Sequence, residues 1–153
     1  MMERIACCTD FSENSQTAFE MALDLAEKYG AKLYVVHVVP QVVNPLLSDE
    51  ELDISVQPDK ALILSLEERM QQEYGGRASA SADLQFVVLD GHVSSAILSF
   101  LEEKRVDLAV MGAYGQSGMG LVLFGSVAKR VAHKAPCSVM IVRERKKGGQ
   151  SGK

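Results

Sequence analysis

The sequence predicts an α/β fold, in which helices cover both faces of an open sheet of five parallel strands. The chain has 153 residues, which suits a single domain. Short apolar segments alternate with amphipathic helical patterns in the order β-α-β-α-β-α-β-α-β, as is typical of parallel strands joined by right-handed crossovers. Strand segments such as residues 108–111 are apolar at every position, which indicates burial on both faces of the sheet.

The first strand and the first helix lie in the N-terminal part of the chain. Residues 4–9 predict a short buried strand, and Asp10 and Ser12 are both candidates for the helix N-cap after it. Asp10 and Glu13 have the spacing of a capping box. Gly30 stands where a helix C-cap is expected. The buried stripe of this helix is predicted to contain Ala18, Ala22, Leu25, Ala26 and Tyr29.

A long irregular segment separates the second strand from the second helix. Residues 32–39 are rich in Val and predict a strand that Pro40 ends. Residues 41–58 contain prolines and several acids and are predicted to form a loop. Residues 59–74 predict a helix that a glycine pair stops. The side chains expected to face inward are Leu62, Leu66 and Met70.

The C-terminal half contains three further strands and two helices. Strands are predicted at residues 83–89, 107–111 and 138–142, and the fourth helix at residues 126–133. The third helix has an apolar face with clear helical spacing, formed by Val93, Ala96, Ile97, Phe100 and Leu101.

Residues 112–126 form a glycine-rich segment between the fourth strand and the fourth helix, with the spacing G-x2-G-x9-G-S. Glycine lets backbone N–H groups approach a phosphate closely and turn inward. A helix that begins at Ser126 adds its free amides and the positive end of its dipole. We interpret the segment as a nucleotide-phosphate cradle. A plain mobile loop is the alternative, because short glycine motifs also occur without a ligand.

Several polar residues are predicted at strand carboxyl ends, where open α/β sheets bind ligands. Asp10 could accept hydrogen bonds from a ribose or an adenine amine, or could cap the helix. Ser126 could offer its N–H and hydroxyl to a phosphate, or could be an N-cap, and its position beside Gly125 favours the phosphate. His92 could titrate near a ligand, although a solvated histidine at a helix start is more common.

Three other phosphate-handling patterns fit poorly. In the Walker pattern, a lysine precedes the serine, and Phe124 stands there instead. In the dinucleotide fingerprint, Leu123 stands at the third glycine. For a phospho-receiver domain, Thr9 breaks the acidic pair after the first strand, and Arg143 is the base nearest to the end of the last strand.

Composition limits the classes of partner and compartment. A net charge of −4 and a pI of about 5.4 do not favour nucleic acid or an anionic membrane. We find no apolar run of about 18 residues, and the apolar residues 5–8 are too few for a secretory signal. We therefore expect a cytoplasmic protein without membrane association. Cys7, Cys8 and Cys137 lack metal-ligand spacing and are expected to act as small buried hydrophobes.

Several segments of the chain together follow the pattern of one known family. They are the opening at residues 5–12, the strand end His37-Val38-Val39, Gly91 before the third helix and, most strongly, residues 110–131 and 135–143. On these segments the chain closely resembles the universal stress protein family. The complete G-x2-G-x9-G-S spacing resembles the ATP-binding branch of that family.

This resemblance implies a Rossmann-like sheet with the strand order 3-2-1-4-5 and a homodimer, which we expect to form through the fifth strand. It also implies bound ATP, ADP or AMP, with or without Mg²⁺. Residues 1–143 would form the nucleotide-binding domain, and residues 144–153 a disordered tail. By position, Asp10 would meet the ribose, Val38 or Val39 the adenine through the backbone, Gly112 the ribose, and Gly115, Gly125, Ser126 and Val127 the phosphates.

Two positions depart from the pattern of the family, and the first of them bears on the charge balance at the predicted phosphate site. Tyr114 stands where many members have His or Arg, and Ser138 where many have Pro. Residues between Gly112 and Phe124 include no lysine and no arginine, which argues against efficient phosphoryl transfer.

We therefore expect an ATP-binding regulator or interaction module that responds to nucleotide in stress and acts through an unknown protein partner. A slow ATPase or autokinase, and a dimeric scaffold that binds no nucleotide, are the alternatives.

Overall fold

The computed structural model describes residues 1–40, 58–113 and 125–145. The strands are β1 (Arg4–Cys8), β2 (Lys32–Pro40), β3 (Leu84–Gly91), β4 (Leu108–Gly112) and β5 (Ser138–Val142). The helices are α1 (Glu13–Tyr29), α2 (Lys60–Tyr74), α3 (Val93–Glu103) and α4 (Ser126–Lys134), and a short 3₁₀ turn, Gly75–Arg77, follows α2. Gly115 and most of the glycine-rich segment lie outside the described residues.

All five strands form one parallel sheet in the order β3-β2-β1-β4-β5. This confirms the predicted fold class and strand order. β1 pairs with β2 on one side and with β4 on the other, so the direction of winding reverses between β1 and β4. Open α/β sheets bind their ligands at such a reversal, outside the carboxyl ends of the strands.

Two hydrophobic cores cover the two faces of the sheet. One core contains the buried residues of α1 with Met70 and Tyr74 of α2. The other contains the buried residues of α3 and α4. Because side chains alternate along a strand, Cys7 faces the first core and Cys8 the second, as predicted.

The three cysteines are free thiols. Burial raises the pKa of Cys8 to about 12 and also raises the pKa of Cys7. Thiols held protonated in this way are poor nucleophiles and poor metal ligands. Cys7 and Cys8 therefore serve as packing residues, whereas Cys137 is only partly buried.

The prediction of buried residues was wrong at Tyr29 and Leu62, whose exposed fractions are 55% and 43%. Tyr29 is the last residue of α1, so it lies beyond the part of the helix that packs on the sheet. In α2 the buried residues are Met70 and Tyr74, both in its C-terminal half. Leu62 lies in the opposite half and stays outside the core. No helix in the described ranges combines the length and apolarity that a membrane crossing requires.

Candidate functional site

A cavity of about 630 Å³ opens at the carboxyl ends of β1, β2 and β4. Six of the predicted site residues border it, namely Asp10, Val38, Gly112, Gly125, Ser126 and Val127. Val39 is the next residue of β2 and pairs with Asp90 of β3, but it is not among the described residues that line the cavity. The structure therefore brings together residues that are up to 117 positions apart in the chain, Asp10 and Val127 (127 − 10).

One end of the cavity is formed by the start of α4. Gly125 is the N-cap of this helix, with φ −58° and ψ 147°. Its N–H donates to the carbonyl of Ala113 at 2.8 Å, and the N–H of Ala113 donates to the carbonyl of Val142 at 3.0 Å. These two bonds tie the residues before and after the glycine-rich segment to each other and to β5.

Among the described residues, no side chain caps the amides of the first turn of α4. The first intrahelical bond runs from the N–H of Lys129 to the carbonyl of Gly125 at 3.0 Å. The N–H groups of Ser126, Val127 and Ala128 precede that bond and point out of the helix end. The alternative interpretation of Ser126 as an N-cap is wrong, because Gly125 has that position and Ser126 is the first helical residue.

Asp10 organises the turn between β1 and α1. Its Oδ1 accepts hydrogen bonds from the N–H of Ser12 at 3.0 Å and from the hydroxyl of Ser15 at 2.6 Å. The N-cap of α1 is Ser12, whose hydroxyl accepts from the N–H of Ser15. The interpretation of Asp10 as the N-cap is therefore wrong. Its carboxylate is instead held at the edge of the cavity by the residues that cap the helix.

The opposite end of the cavity is formed by packed side chains that the sequence did not reveal as site residues. Phe11 has a φ of 65°, which is rare for a bulky residue. Its N–H donates to Oγ1 of Thr9 at 3.0 Å, and its ring centroid lies 4.7 Å from that of His37. Nδ1 of His37 donates to the carbonyl of Thr9 at 2.9 Å. In the neutral ring this leaves Nε2 as an acceptor.

Two residues of α2 support this end: Arg69 borders the cavity, and Tyr74 is buried beneath it. The guanidinium of Arg69 lies over the Phe11 ring, 3.9 Å from the centroid, and its Nε donates to Oε1 of Glu73 at 2.9 Å. The hydroxyl of Tyr74 is 2.5 Å from Oγ1 of Thr9. Burial raises the pKa of Tyr74 to about 12, so the hydroxyl stays protonated. The sequence analysis did not identify Arg69 as a site residue, because the residues around it have the pattern of an ordinary exposed helix.

Gly112 has a packing role that its sequence motif did not indicate. A Cβ built at Gly112 would lie 2.9 Å from the Cβ of Asn14 and 3.0 Å from its backbone carbonyl. The carboxyl end of β4 therefore approaches α1 too closely for any side chain. This close approach brings the strand end beside Asp10 at the cavity.

A smaller cavity of about 340 Å³ lies next to the first and shares Ser126 and Val127 with it. His92 borders it and is the N-cap of α3, with its Nδ1 accepting from the N–H of Ser95. This supports a structural role for His92. Within the described ranges, no group of three or more His, Cys, Asp or Glu side chains is arranged to hold a metal ion.

Comparison with known proteins gives consistent matches along the chain. The universal stress protein family profile matches residues 1–143. A universal stress protein of Methanocaldococcus jannaschii is 31% identical over 151 residues, which cover 96% of this chain and 85% of that protein. One from Thermus aquaticus is 28% identical, over 94% of this chain and 100% of that protein.

Solved structures give the same fold. A universal stress protein of Lactobacillus plantarum superposes with a TM-score of 0.72 at 27% identity, over 93% of this chain and 98% of that one. A universal stress protein of Archaeoglobus fulgidus in complex with dAMP has a TM-score of 0.56 at 22% identity, over 92% and 97%. A universal stress protein in complex with cAMP has a TM-score of 0.64 at 22% identity, over 92% and 96%.

Proposed function

The chain belongs to the universal stress protein family, and we propose that it binds an adenine nucleotide in the cavity at the carboxyl ends of β1, β2 and β4. The observation that carries this proposal is the cavity itself. It lies where the strand order reverses, and it has at one end a helix N-terminus that no described side chain caps and at the other an aromatic cluster. These two ends match the two chemically different ends of a nucleotide.

The size of the cavity supports a mononucleotide. Its volume is about 630 Å³, within the range of roughly 300–1,000 Å³ that is usual for small-molecule sites. The dAMP and cAMP complexes of two proteins with the same fold also support an adenine nucleotide. We propose ATP as the ligand, with ADP or AMP as the alternatives, bound with or without Mg²⁺.

At the phosphate end, the N–H groups of Ser126 and Val127 would hold the phosphates. The N–H of Gly125 already donates to the carbonyl of Ala113, so we propose a different role for Gly125. Because it has no side chain, a phosphate can approach the amides of Ser126 and Val127. Gly115 is proposed as a further phosphate contact. The N-terminal end of a helix dipole favours an anion there.

At the other end, Asp10 would accept a hydrogen bond from the ribose beside Gly112. The backbone of Val38 or Val39 would meet the adenine. Val38 borders the cavity and is 6% exposed, so its side chain is packed and its backbone is the group left for a ligand. The turn bonds of Asp10 fix its carboxylate before a ligand arrives.

We propose that the nucleotide acts as a signal. A ligand that binds one loop conformation stabilises that conformation by mass action, and a protein partner would then read it. The sequence contains no lysine in the glycine-rich segment, which supports binding over phosphoryl transfer. A slow ATPase would instead release phosphate steadily, and an autokinase would move a phosphoryl group from ATP to one of its own side chains and leave ADP. A cytoplasmic location stays a prediction that cell fractionation tests.

The purified protein provides the test. It is denatured, and any released nucleotide is identified by mass spectrometry. ATP, ADP or AMP in an amount close to that of the protein supports the proposal. A chain that releases no nucleotide and takes up none when ATP is added would be a scaffold, which contradicts it.

We also propose that the protein is a homodimer formed through β5. This strand is at the edge of the sheet and, within the described residues, pairs only with β4. It carries no charge and no proline, although exposed strand edges are normally protected by such residues. Pairing with the same strand of a second chain would cover both edges in one self-complementary contact.

Light scattering tests the dimer. The wild type is expected at about twice the 16.6 kDa of one chain. Met140→Lys, which adds a charge to β5, should shift the mass toward one chain. Leu64→Lys is the control, because Leu64 is an apolar residue that is 60% exposed and belongs to α2, which packs beside β3 at the opposite edge of the sheet from β5. A wild type with the mass of one chain at micromolar concentration contradicts the proposal.

A further inference from the structure

Arg69 places a cationic side chain at the end of the cavity that Phe11 and His37 form. Its guanidinium is stacked on Phe11 at 3.9 Å and is oriented by the bond from Nε to Glu73. The side chain is still 49% exposed, and it borders the cavity together with Leu66 of the same helix. One face of the guanidinium is therefore covered by Phe11, and much of its surface is left for other contacts.

The Phe11 ring that supports Arg69 is itself fixed. Its φ of 65° is unfavourable for a bulky side chain, so the surrounding structure must hold it. Thr9 accepts its N–H, and the rings of His37 and Tyr74 lie 4.7 and 6.4 Å from it. A strained backbone that several contacts hold in place presents the ring, and with it Arg69, in one orientation.

The position of Arg69 separates it from the proposed phosphate contacts. Its helix, α2, packs on the face of the sheet that α1 covers, whereas α4 packs on the other face. Phe11 follows β1, and His37 is next to Val38 in β2. Arg69 therefore lies at the β2 side of the cavity, where the base is proposed to bind.

We propose that Arg69 is a base-binding residue, whose guanidinium, stacked on Phe11, forms a flat wall for a planar purine. A guanidinium is planar and delocalised and stacks on aromatic rings, which an ammonium group does not do in the same way. Stacking accepts a purine by its shape. This inference rests on the proposed nucleotide function and adds to it the residue that holds the base.

The test compares ATP, AMP and adenosine by titration calorimetry, because these ligands share the base and differ in phosphate. Arg69→Met and Arg69→Lys should each weaken all three ligands by a similar factor of about tenfold, as is usual when one stacking partner is lost. Arg77→Met is the matched control and should bind as the wild type does. Arg77 also pairs with a carboxylate, Glu20, and is 41% exposed, but it is not among the described residues that line the cavity.

Other outcomes overturn the inference. A loss that is large for ATP and absent for adenosine would mean that Arg69 holds phosphate. Full affinity in Arg69→Lys would mean that charge alone suffices, and full affinity in Arg69→Met that Arg69 makes no contact. If the wild type binds none of the three ligands, both the proposed function and this inference are wrong. If the wild type binds them and the Arg69 variants bind equally well, only this inference is wrong. Thermal unfolding of each variant checks that the fold is retained.

Discussion

The two ends of the cavity are built from different parts of the chain. At the α4 end the available groups are backbone amides, and the side chains are small or absent, as at Gly125 and Ser126. At the β2 end the wall is a set of packed side chains, Phe11, His37 and Arg69, that come from the turn after β1, from β2 and from α2. A backbone site requires access, whereas a side-chain site requires support from its neighbours.

This difference has energetic consequences. A residue of the backbone end can be changed with little effect on stability as long as the helix still begins there. A residue of the side-chain end takes part in both packing and recognition. Variants that separate the free energy of unfolding from nucleotide affinity therefore test the contrast directly.

The largest effect is expected at the backbone end. Gly125→Val places a branched side chain beside the amides of Ser126 and Val127. We expect ATP affinity to fall about 100-fold, as when one or two charge-assisted hydrogen bonds of about 1.5–3 kcal/mol each are lost. The φ of −58° is allowed for valine, so the loss arises from blocked approach and not from backbone strain.

Calorimetry with ATP measures the change, and Gly76→Val is the matched control. A Cβ at Gly76 meets no heavy atom within 4 Å, and affinity there should stay at the wild-type value. Equal ATP affinities for Gly125→Val and the wild type would contradict the interpretation of this segment as a phosphate-binding site.

The second largest effect is expected on the free energy of unfolding, at Gly112, where packing and not access to the ligand requires a glycine. Gly112→Ala would place its Cβ 2.9 Å from the Cβ of Asn14. Overpacking of this kind costs about 1–3 kcal/mol, so the free energy of unfolding should fall by that amount in urea denaturation. Gly76→Ala should change it by less than about 0.5 kcal/mol. A Gly112→Ala protein of wild-type stability would show that this glycine is not required by packing.

A smaller effect is expected from Tyr74, beneath the side-chain end. Tyr74→Phe removes the bond to Thr9, whose Oγ1 still accepts from Phe11. The free energy of unfolding should fall by about 1 kcal/mol in urea denaturation at neutral pH.

Tyr74 also predicts a pH dependence. Its folded pKa is about 12 and its ordinary value 10.0, so above pH 10 the unfolded chain loses this proton before the folded chain does. Stability that is present below pH 10 is therefore lost as the pH rises toward 12. Tyr74→Phe should make this decline less steep without removing it, because the raised pKa values of Cys7 and Cys8 also contribute to it. Tyr29→Phe, at a tyrosine that is 55% exposed, should leave the decline unchanged. Identical alkaline curves for the wild type and Tyr74→Phe would contradict the assignment.

The sequence predicted the fold well because its signals are local. Apolar runs such as residues 108–111 and the helical spacing of α3 depend on a few neighbouring residues. Strand ends were less exact: β3 extends to Gly91 because it continues to pair with β2 up to Pro40. Tyr29 and Leu62 were misassigned because a helical stripe does not reveal where the sheet beneath it stops.

The candidate site divides in the same way. The backbone end leaves a trace in the sequence, because glycine spacing is a direct requirement of backbone access. The side-chain end leaves none, since Arg69 reaches Phe11 only through the packing of α2 on the sheet. Even at Gly112, the motif indicated a glycine without indicating that Asn14 requires it.

The central claim is that one nucleotide spans both ends, and amide chemical shifts measure this most directly. The backbone nitrogen–proton spectrum of the protein is recorded with adenosine and then with ATP. The account predicts that both ligands shift Phe11, His37 and Val38, and that only ATP also shifts Ser126 and Val127. Identical shifts from the two ligands, or shifts that leave both ends untouched, would contradict it.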